Sequence, residues 1–337
     1  MSSSARIARI EYAVPDNVVT NDDLQRIHPD WRMEQVARKT GVLTRRFAAP
    51  DELASDLGFR AAIELLNGYG KDQIDGLIFC TQSPDQIMPP NATLLHAQLD
   101  LPKSVAAFDI TLACSGFVYG LAIAKSMIDS MGMRSVLLVC GDTYSRYIHP
   151  DDRAALTLFG DAAAAALVDR STAESEILDF VLATDGQTGG DKFMIKAGGL
   201  RTPRSEATCV GRRDIAGNVR SDETIFMDGT AVLAFAKREV LPTVEEILRR
   251  NKLQLSEVKL VLFHQASLHA LNILNEHLGL RPDQTFSNIA HFGNTVSASL
   301  AILLKDAESA GRLERGDLVL VVGFGVGFSW GACLMRW

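Results

Sequence analysis

No apolar run among the 337 residues reaches the ~18 that a membrane-spanning helix needs, so no span is expected. The opening Met1-Ser2-Ser3-Ser4-Ala5-Arg6-Ile7 lacks the apolar centre of a secretion signal. Basic residues form no run and do not interleave with aromatics. With a net charge of −7, that argues against a nucleic-acid partner. A local basic patch for an acidic carrier protein stays compatible with the negative total. Cysteine is scarce, and its pattern is informative. The five residues Cys80, Cys114, Cys140, Cys209 and Cys333 are odd in number, widely spaced and never in C-x-x-C form. This excludes a disulfide framework and a zinc site, and points to a reducing, cytoplasmic setting without a metal.

What is present is apolar material. Hydrophobic residues make up 47% of the chain, enough for one large core or two cores packed together. Short continuous apolar runs read as strands buried on both faces: Gly76–Thr81, Val105–Ile110, Ser135–Cys140, Ala162–Val168, Val258–Phe263 and Leu318–Val322. Arg6–Val14 and Ala332–Arg336 read as strands near the two ends, and Val42–Phe47 and Phe286–Ile289 as short ones. Helical patterning covers Leu53–Asn67, Asn91–Leu99, Phe117–Met127, Thr230–Arg250, Ser267–Leu278 and Asn294–Ser309. From about 186 to 222, glycines, charges and Pro203 break the pattern. That segment reads as an irregular insertion, either a lid or a tolerated surface loop.

The stretch Phe108-Asp109-Ile110-Thr111-Leu112-Ala113-Cys114-Ser115-Gly116 reads as a strand, a tight turn and a helix opening on Cys114. Unpaired N–H groups and the helix dipole would favour a thiolate there. Packing of one more small core residue is the other reading. Three segments recur in the same order later in the chain. Gly76–Thr81 resembles Leu260–Gln265, Cys114–Lys125 lines up with Asn294–Lys305, and Ser135–Gly141 lines up with Asp317–Gly323. The repeat divides the chain into halves 1–170 and 171–337. It puts Cys114 and Asn294 at equivalent places, each opening a helix, with His264 at the end of a strand nearby. Cysteine, histidine and asparagine form a coherent set for acyl transfer. The thiol accepts an acyl group, and two neutral N–H donors hold a developing enolate. Taken singly, His264 also reads as a satisfied core histidine and Asn294 as a helix cap. A G-x-S-x-G elbow is not expected, which sets Ser-His-Asp hydrolysis aside.

The chain resembles the β-ketoacyl-acyl-carrier-protein synthase III group of the thiolase superfamily along nearly its whole length. The resemblance rests on Cys114-Ser-Gly-Phe, Asp152-Arg153, Phe159-Gly160-Asp161-Ala162-Ala163 and Met227-Asp228-Gly229. It also rests on His264-Gln265-Ala266, Gly293-Asn294-Thr295 and Gly325-Val326-Gly327-Phe328-Ser329-Trp330-Gly331. The resemblance implies a five-layered αβαβα thiolase-like fold of two duplicated halves, a homodimer, and a Cys114-His264-Asn294 triad. It implies ping-pong decarboxylative condensation of an acyl-CoA primer with malonyl-acyl carrier protein, giving a 3-oxoacyl product. No cofactor is implied beyond these thioester substrates. The backbone N–H groups of Cys114 and Val326 would form the oxyanion hole. Phe324 would stand beside the nucleophile, Arg153 would contact the CoA adenine, and Met88 would close the partner subunit's primer pocket. Several positions depart from the group's pattern. The adenine-stacking Trp is Gln35, with Trp31 as a substitute, and the usual Asn and Arg after His264 are Ser267 and His269. The expected Lys is Ala234, and the oxyanion Gly is Val326. These departures imply a specialised synthase. Two other readings are an acyltransferase that needs no malonate and an inert acyl-binding subunit.

Overall fold

A computed structural model describes residues 4–172 and 174–337. The first sheet contains β1 (Ala5–Ala13), β2 (Gly76–Cys80), β3 (Ala106–Ile110), β4 (Ser135–Asp142) and β5 (Ala162–Arg170). The second contains β6 (Glu176–Thr184), β7 (Leu260–Phe263), β8 (Leu318–Gly325) and β9 (Ser329–Arg336). The strand orders are β1-β5-β4-β2-β3 and β7-β8-β9-β6. β2 is parallel to β4, and β7 is parallel to β8. The remaining pairs correspond too: β4–β5 with β8–β9, and β5–β1 with β9–β6, all antiparallel. Only β3 has no counterpart among the described residues.

The major helices are α1 (Ala54–Leu65), α2 (Asn91–Gln98), α3 (Gly116–Met131), α4 (Leu241–Arg250), α5 (Leu268–Leu278) and α6 (Ser299–Ser309). Their apolar faces divide into three sets. Ala61 and Leu65 of α1 and Leu95 of α2 pack on Phe79, Leu137 and Val139, outside the first sheet. Phe117 and Leu121 of α3 and Leu300 and Leu304 of α6 lie between the sheets, against Ile78, Leu138, Val319 and Val321. Val244 of α4 and Leu271 and Leu274 of α5 cover Val261, Leu320 and Val322. The result is a five-layered αβαβα stack. Strands covered on both faces must be apolar at every position, which is why their runs were continuous in the sequence. At Gly120 a methyl group would stand 2.6 Å from Leu138, so only glycine lets α3 lie this close to the sheet.

Several boundaries differ from expectation. Phe286–Asn288 is not a strand, and Ile289–Phe292 is a short helix. The Asn294 helix starts late, as a 3₁₀ turn at Val296–Ala298 followed by α6. Strand β6 was unassigned in the sequence because only Ile177 of its nine residues is buried. Strand β3 is not buried on both faces: it is the half-exposed edge of its sheet. The helix expected over Thr230–Arg250 runs from Gly229 to Arg250, with a π turn at Ala236–Val240 just before Pro242. Proline has no N–H to donate, and the wider turn absorbs the interruption.

One buried carboxylate links the halves. Asp142 ends β4, is fully buried, and accepts from Gln82 N–H at 2.8 Å and Ser297 Oγ–H at 2.5 Å. Burial pushes its pKa up to about 6 from an ordinary 3.8. Between those values the native state holds the proton that the unfolded chain has lost. Stability from this group therefore falls as pH rises from about 4 to 6. Ser297→Ala removes a donor to the charged form. It should cost about 1–3 kcal/mol at pH 7.5 and less at pH 5, read by denaturant unfolding.

Candidate active site

The site forms where the ends of β7 and β8 meet the turn after β3. Gly323 and Gly325 of β8 let the strand press against that turn. A methyl group at Gly323 would lie 2.7 Å from the Cys114 carbonyl oxygen, and one at Gly325 would lie 3.0 Å from Cys114 Sγ. Cys114 is 3% exposed and precedes the cap residue Ser115, since α3 begins at Gly116. It therefore lies outside the first helical turn, contrary to the expected placement. Burial pushes the thiol well above its usual range, and the Asp142 carboxylate adds to this. Its own backbone N–H acts weakly the other way. These surroundings favour the thiol over the thiolate that a helix N-terminus suggested.

His264 follows β7, and its N–H donates to the Val322 carbonyl at 2.8 Å. Its Nδ1 lies 3.0 Å from Ser299 Oγ, which also accepts the Gln265 N–H at 3.0 Å. The hydroxyl proton of Ser299 has Nδ1 as its one acceptor among the described residues. That arrangement places the imidazole proton on Nε2. Burial lowers the His264 pKa to about 3, so the ring is neutral at physiological pH. Phe324 meets it edge-on at 5.8 Å.

Asn294 is held by backbone bonds at both ends. Its N–H donates to the Leu158 carbonyl, and its carbonyl accepts from Gly160 N–H. A methyl group at Gly160 would stand 2.2 Å from the Phe292 oxygen, so this crossing requires glycine. The Asn294 Oδ1 accepts Val296 N–H at 2.9 Å, leaving Nδ2 as a free donor among the described residues. Val296 has φ 53, a left-handed conformation unusual for a β-branched residue.

A cavity of about 720 Å³ brings together Cys114, His264, Asn294, Phe324 and Arg153, with Arg32 and Lys39 at its rim. Val326 lines a neighbouring cavity of about 360 Å³. Trp31 lines neither cavity; its ring stacks on His28 at 3.8 Å while Gln35 faces the large cavity. Met88 also lines neither and is 77% exposed. The segment over residues 186–222 is neither a detached lid nor a loose surface loop. Its Phe193–Ile195 part walls the smaller cavity, and its hairpin supplies Asp214, Asn218 and Arg220 to the larger. Arg220 clamps the hairpin to Asp152 at 2.5 Å.

The string Gly327-Phe328-Ser329-Trp330-Gly331 does match G-x-S-x-G, contrary to expectation. It leads into β9 and forms no strand-to-helix elbow, and the Ser329 hydroxyl is engaged by Ser115 and the Val326 carbonyl. Ser299 and Asp142 were both missed in the sequence. Ser299 left one signal, a hydroxyl just ahead of the apolar run Leu300–Leu304.

The sequence profile for 3-oxoacyl-[acyl-carrier-protein] synthase III matches residues 108–186, and that for its C-terminal region matches 248–337. A β-ketoacyl-[acyl-carrier-protein] synthase III of Rhodopirellula baltica is 34% identical over 98% of each chain. A crystal structure of a 3-oxoacyl-(acyl-carrier-protein) synthase III superposes with a TM-score of 0.96 at 38% identity. It covers 99% of this chain and 100% of the other. The enzyme of that name from Aquifex aeolicus has a TM-score of 0.84 at 33% identity, with 99% and 100% covered. The chain belongs to the 3-oxoacyl-[acyl-carrier-protein] synthase III family. It is a condensing acyltransferase with the thiolase-like fold, joining an acyl primer to a malonyl thioester with loss of carbon dioxide.

Two substitutions in this synthase separate its parts. Gly325→Ala should abolish alkylation of Cys114 by iodoacetamide while leaving the fold intact by circular dichroism. Ser299→Ala releases the imidazole. It should lower kcat for condensation about tenfold and leave acyl loading near normal, read by single-turnover kinetics.

Proposed function

We propose that Cys114, His264 and Asn294 carry the condensation in two half-reactions through an acyl-Cys114 intermediate. One observation carries the assignment. In a single cavity with the thiol, His264 Nδ1 and Asn294 Oδ1 are both tied off, and the two free groups are both donors. Cys114 Sγ attacks the primer thioester. The new S–C bond replaces the donor's C–S bond, and the thiol proton ends on the departing thiol. The N–H groups of Cys114 and Val326 hold the oxyanion. A malonyl thioester then enters, and its C–C bond to the carboxylate breaks, releasing carbon dioxide. The electron pair becomes an enolate, whose oxygen is held by His264 Nε2–H and Asn294 Nδ2–H. The enolate carbon attacks the acyl carbon and expels Sγ, which regains a proton from solvent. Phe324 keeps the surroundings apolar, which disfavours the malonyl carboxylate and favours its loss.

Arg153, Arg32 and Lys39 suit the phosphates of a CoA donor and the acidic surface of an acyl carrier protein. The unpaired edge β3 supports a homodimer, in which the exposed Met88 would reach the partner subunit's primer pocket. Trp31 lines neither cavity but neighbours Arg32, which does, and in this reading it takes the adenine ring. The division into halves 1–170 and 171–337 follows the matching strand orders of the two sheets. A cytoplasmic location fits the reduced cysteines, and no helix among the described residues is long and apolar enough to cross a membrane. All three triad side chains are in place, which speaks against an inert subunit.

Intact-protein mass spectrometry after incubation with acyl-CoAs should show one acyl adduct, absent in Cys114→Ala. Carbon dioxide release from the malonyl thioester should require the primer; release without an acyl-Cys114 intermediate would refute the two-step route. Because the thiol is raised, loading should quicken about tenfold per pH unit from 6 to 9. A plateau by pH 7 would show a resting thiolate instead.

A further inference from the structure

The smaller cavity adjoins the one that Cys114 lines. Val326 follows Gly325, the residue packed on Cys114 Sγ, and Phe193 faces both cavities. Cys114, Tyr144, Phe193 and Ile225 share one apolar cluster. An acyl chain bonded to Sγ therefore has this cavity as its room. A plain alkyl chain calls for an all-apolar wall, and this wall is not one.

Tyr144 and Gln82 face the cavity as a polar pair. The Tyr144 hydroxyl donates to Gln82 Oε1 at 2.7 Å. Gln82 is anchored from behind by its own N–H on Asp142 at 2.8 Å, so the amide cannot swing away with its backbone. Burial raises the Tyr144 pKa, which keeps the phenol a neutral donor. With Oε1 occupied, Gln82 Nε2 has no partner among the described residues, and neither has the Thr111 hydroxyl on the same wall. An alkyl chain filling the cavity would strip water from these donors and return nothing. An oxygen on the chain would accept from them. Sites built around such donors discriminate strongly against analogues that lack the acceptor.

We propose that the primer of this synthase is an acyl group with an oxygen acceptor beyond its thioester, such as a hydroxyacyl, oxoacyl or alkoxyacyl chain, selected by Gln82 with Thr111. The proposal rests on the acyl-Cys114 reading above. The test uses matched primers of equal length, such as butanoyl against 3-hydroxybutanoyl and hexanoyl against its ether analogue, carried on CoA and on carrier protein. Adduct formation at Cys114 and kcat/KM are measured for each. The wild type should favour the oxygen-bearing member by about tenfold. Gln82→Met keeps the length and removes the donor, and it should erase or invert that ratio with the KM for malonyl thioester unchanged. Thr111→Val, at an exposed position, supplies a second reading if Gln82→Met folds poorly. A wild-type preference for alkyl primers, or a ratio indifferent to both substitutions, overturns the proposal and leaves the acyl-Cys114 reading standing. No adduct from any primer would overturn that reading itself, and this proposal with it.

Discussion

The buried carboxylate of Asp142 is the constraint on which the site depends. It gathers Gln82 N–H from the loop after β2, and the Ser297 hydroxyl and N–H from the other half of the chain. A lone carboxylate in such a place would be very costly, and donors from two other segments make it tolerable, so that it ties three segments together. Those segments are the ones that carry the chemistry. Ser297 lies three residues beyond Asn294, Gln82 reaches the smaller cavity, and β4 leads to Tyr144. The same charge adds to the burial that raises the Cys114 thiol, so one group both pins the geometry and acts on the cysteine.

Around that pin the layers leave little freedom. Helices α3 and α6 are packed between two sheets, and the reactive groups stand at the ends of strands or just past them. Precision of this kind comes from rigid elements and the absence of side chains. Glycine at positions 323, 325, 116 and 160 lets backbone approach backbone or sulfur more closely than any Cβ permits. The orienting hydrogen bonds then take one end of each polar group, Nδ1 of His264 and Oδ1 of Asn294, so that the remaining end is a donor aimed into the cavity. Residues 186–222 complete the walls through the Arg220–Asp152 pair, which fixes a polar hairpin to the body of the protein.

Most of the strands and helices were legible because burial on both faces writes itself locally, as continuous apolar runs. Cys114, His264 and Asn294 were singled out by the internal repeat together with the resemblance to the synthase III group, and one cavity brings the three together. Failures fell where the deciding partner is distant in sequence. Phe286–Ile289 has strand composition but no neighbouring strand to pair with. Strand β6 is mostly half-buried or exposed, so its pattern was faint. The edge position of β3 could not be inferred, because an edge is defined by what is missing beside it. Ser299 and Asp142 look ordinary in sequence, and their partners lie 35 and 155 residues away.

By itself, then, the sequence determined the buried strands, the main helices and their duplicated order, which follow from residue type and local period. Its resemblance to the synthase III group implied the layered fold and singled out Cys114, His264 and Asn294. Only the tertiary structure decided which atom of each residue is free to react. It showed that Cys114 is buried outside the helix, which raises its thiol, that Ser299 engages Nδ1 of His264, and that Trp31 and Met88 stay outside both cavities of this chain. Desolvation and hydrogen-bond partnership depend on atoms brought together from both halves. No local stretch of chain carries that information.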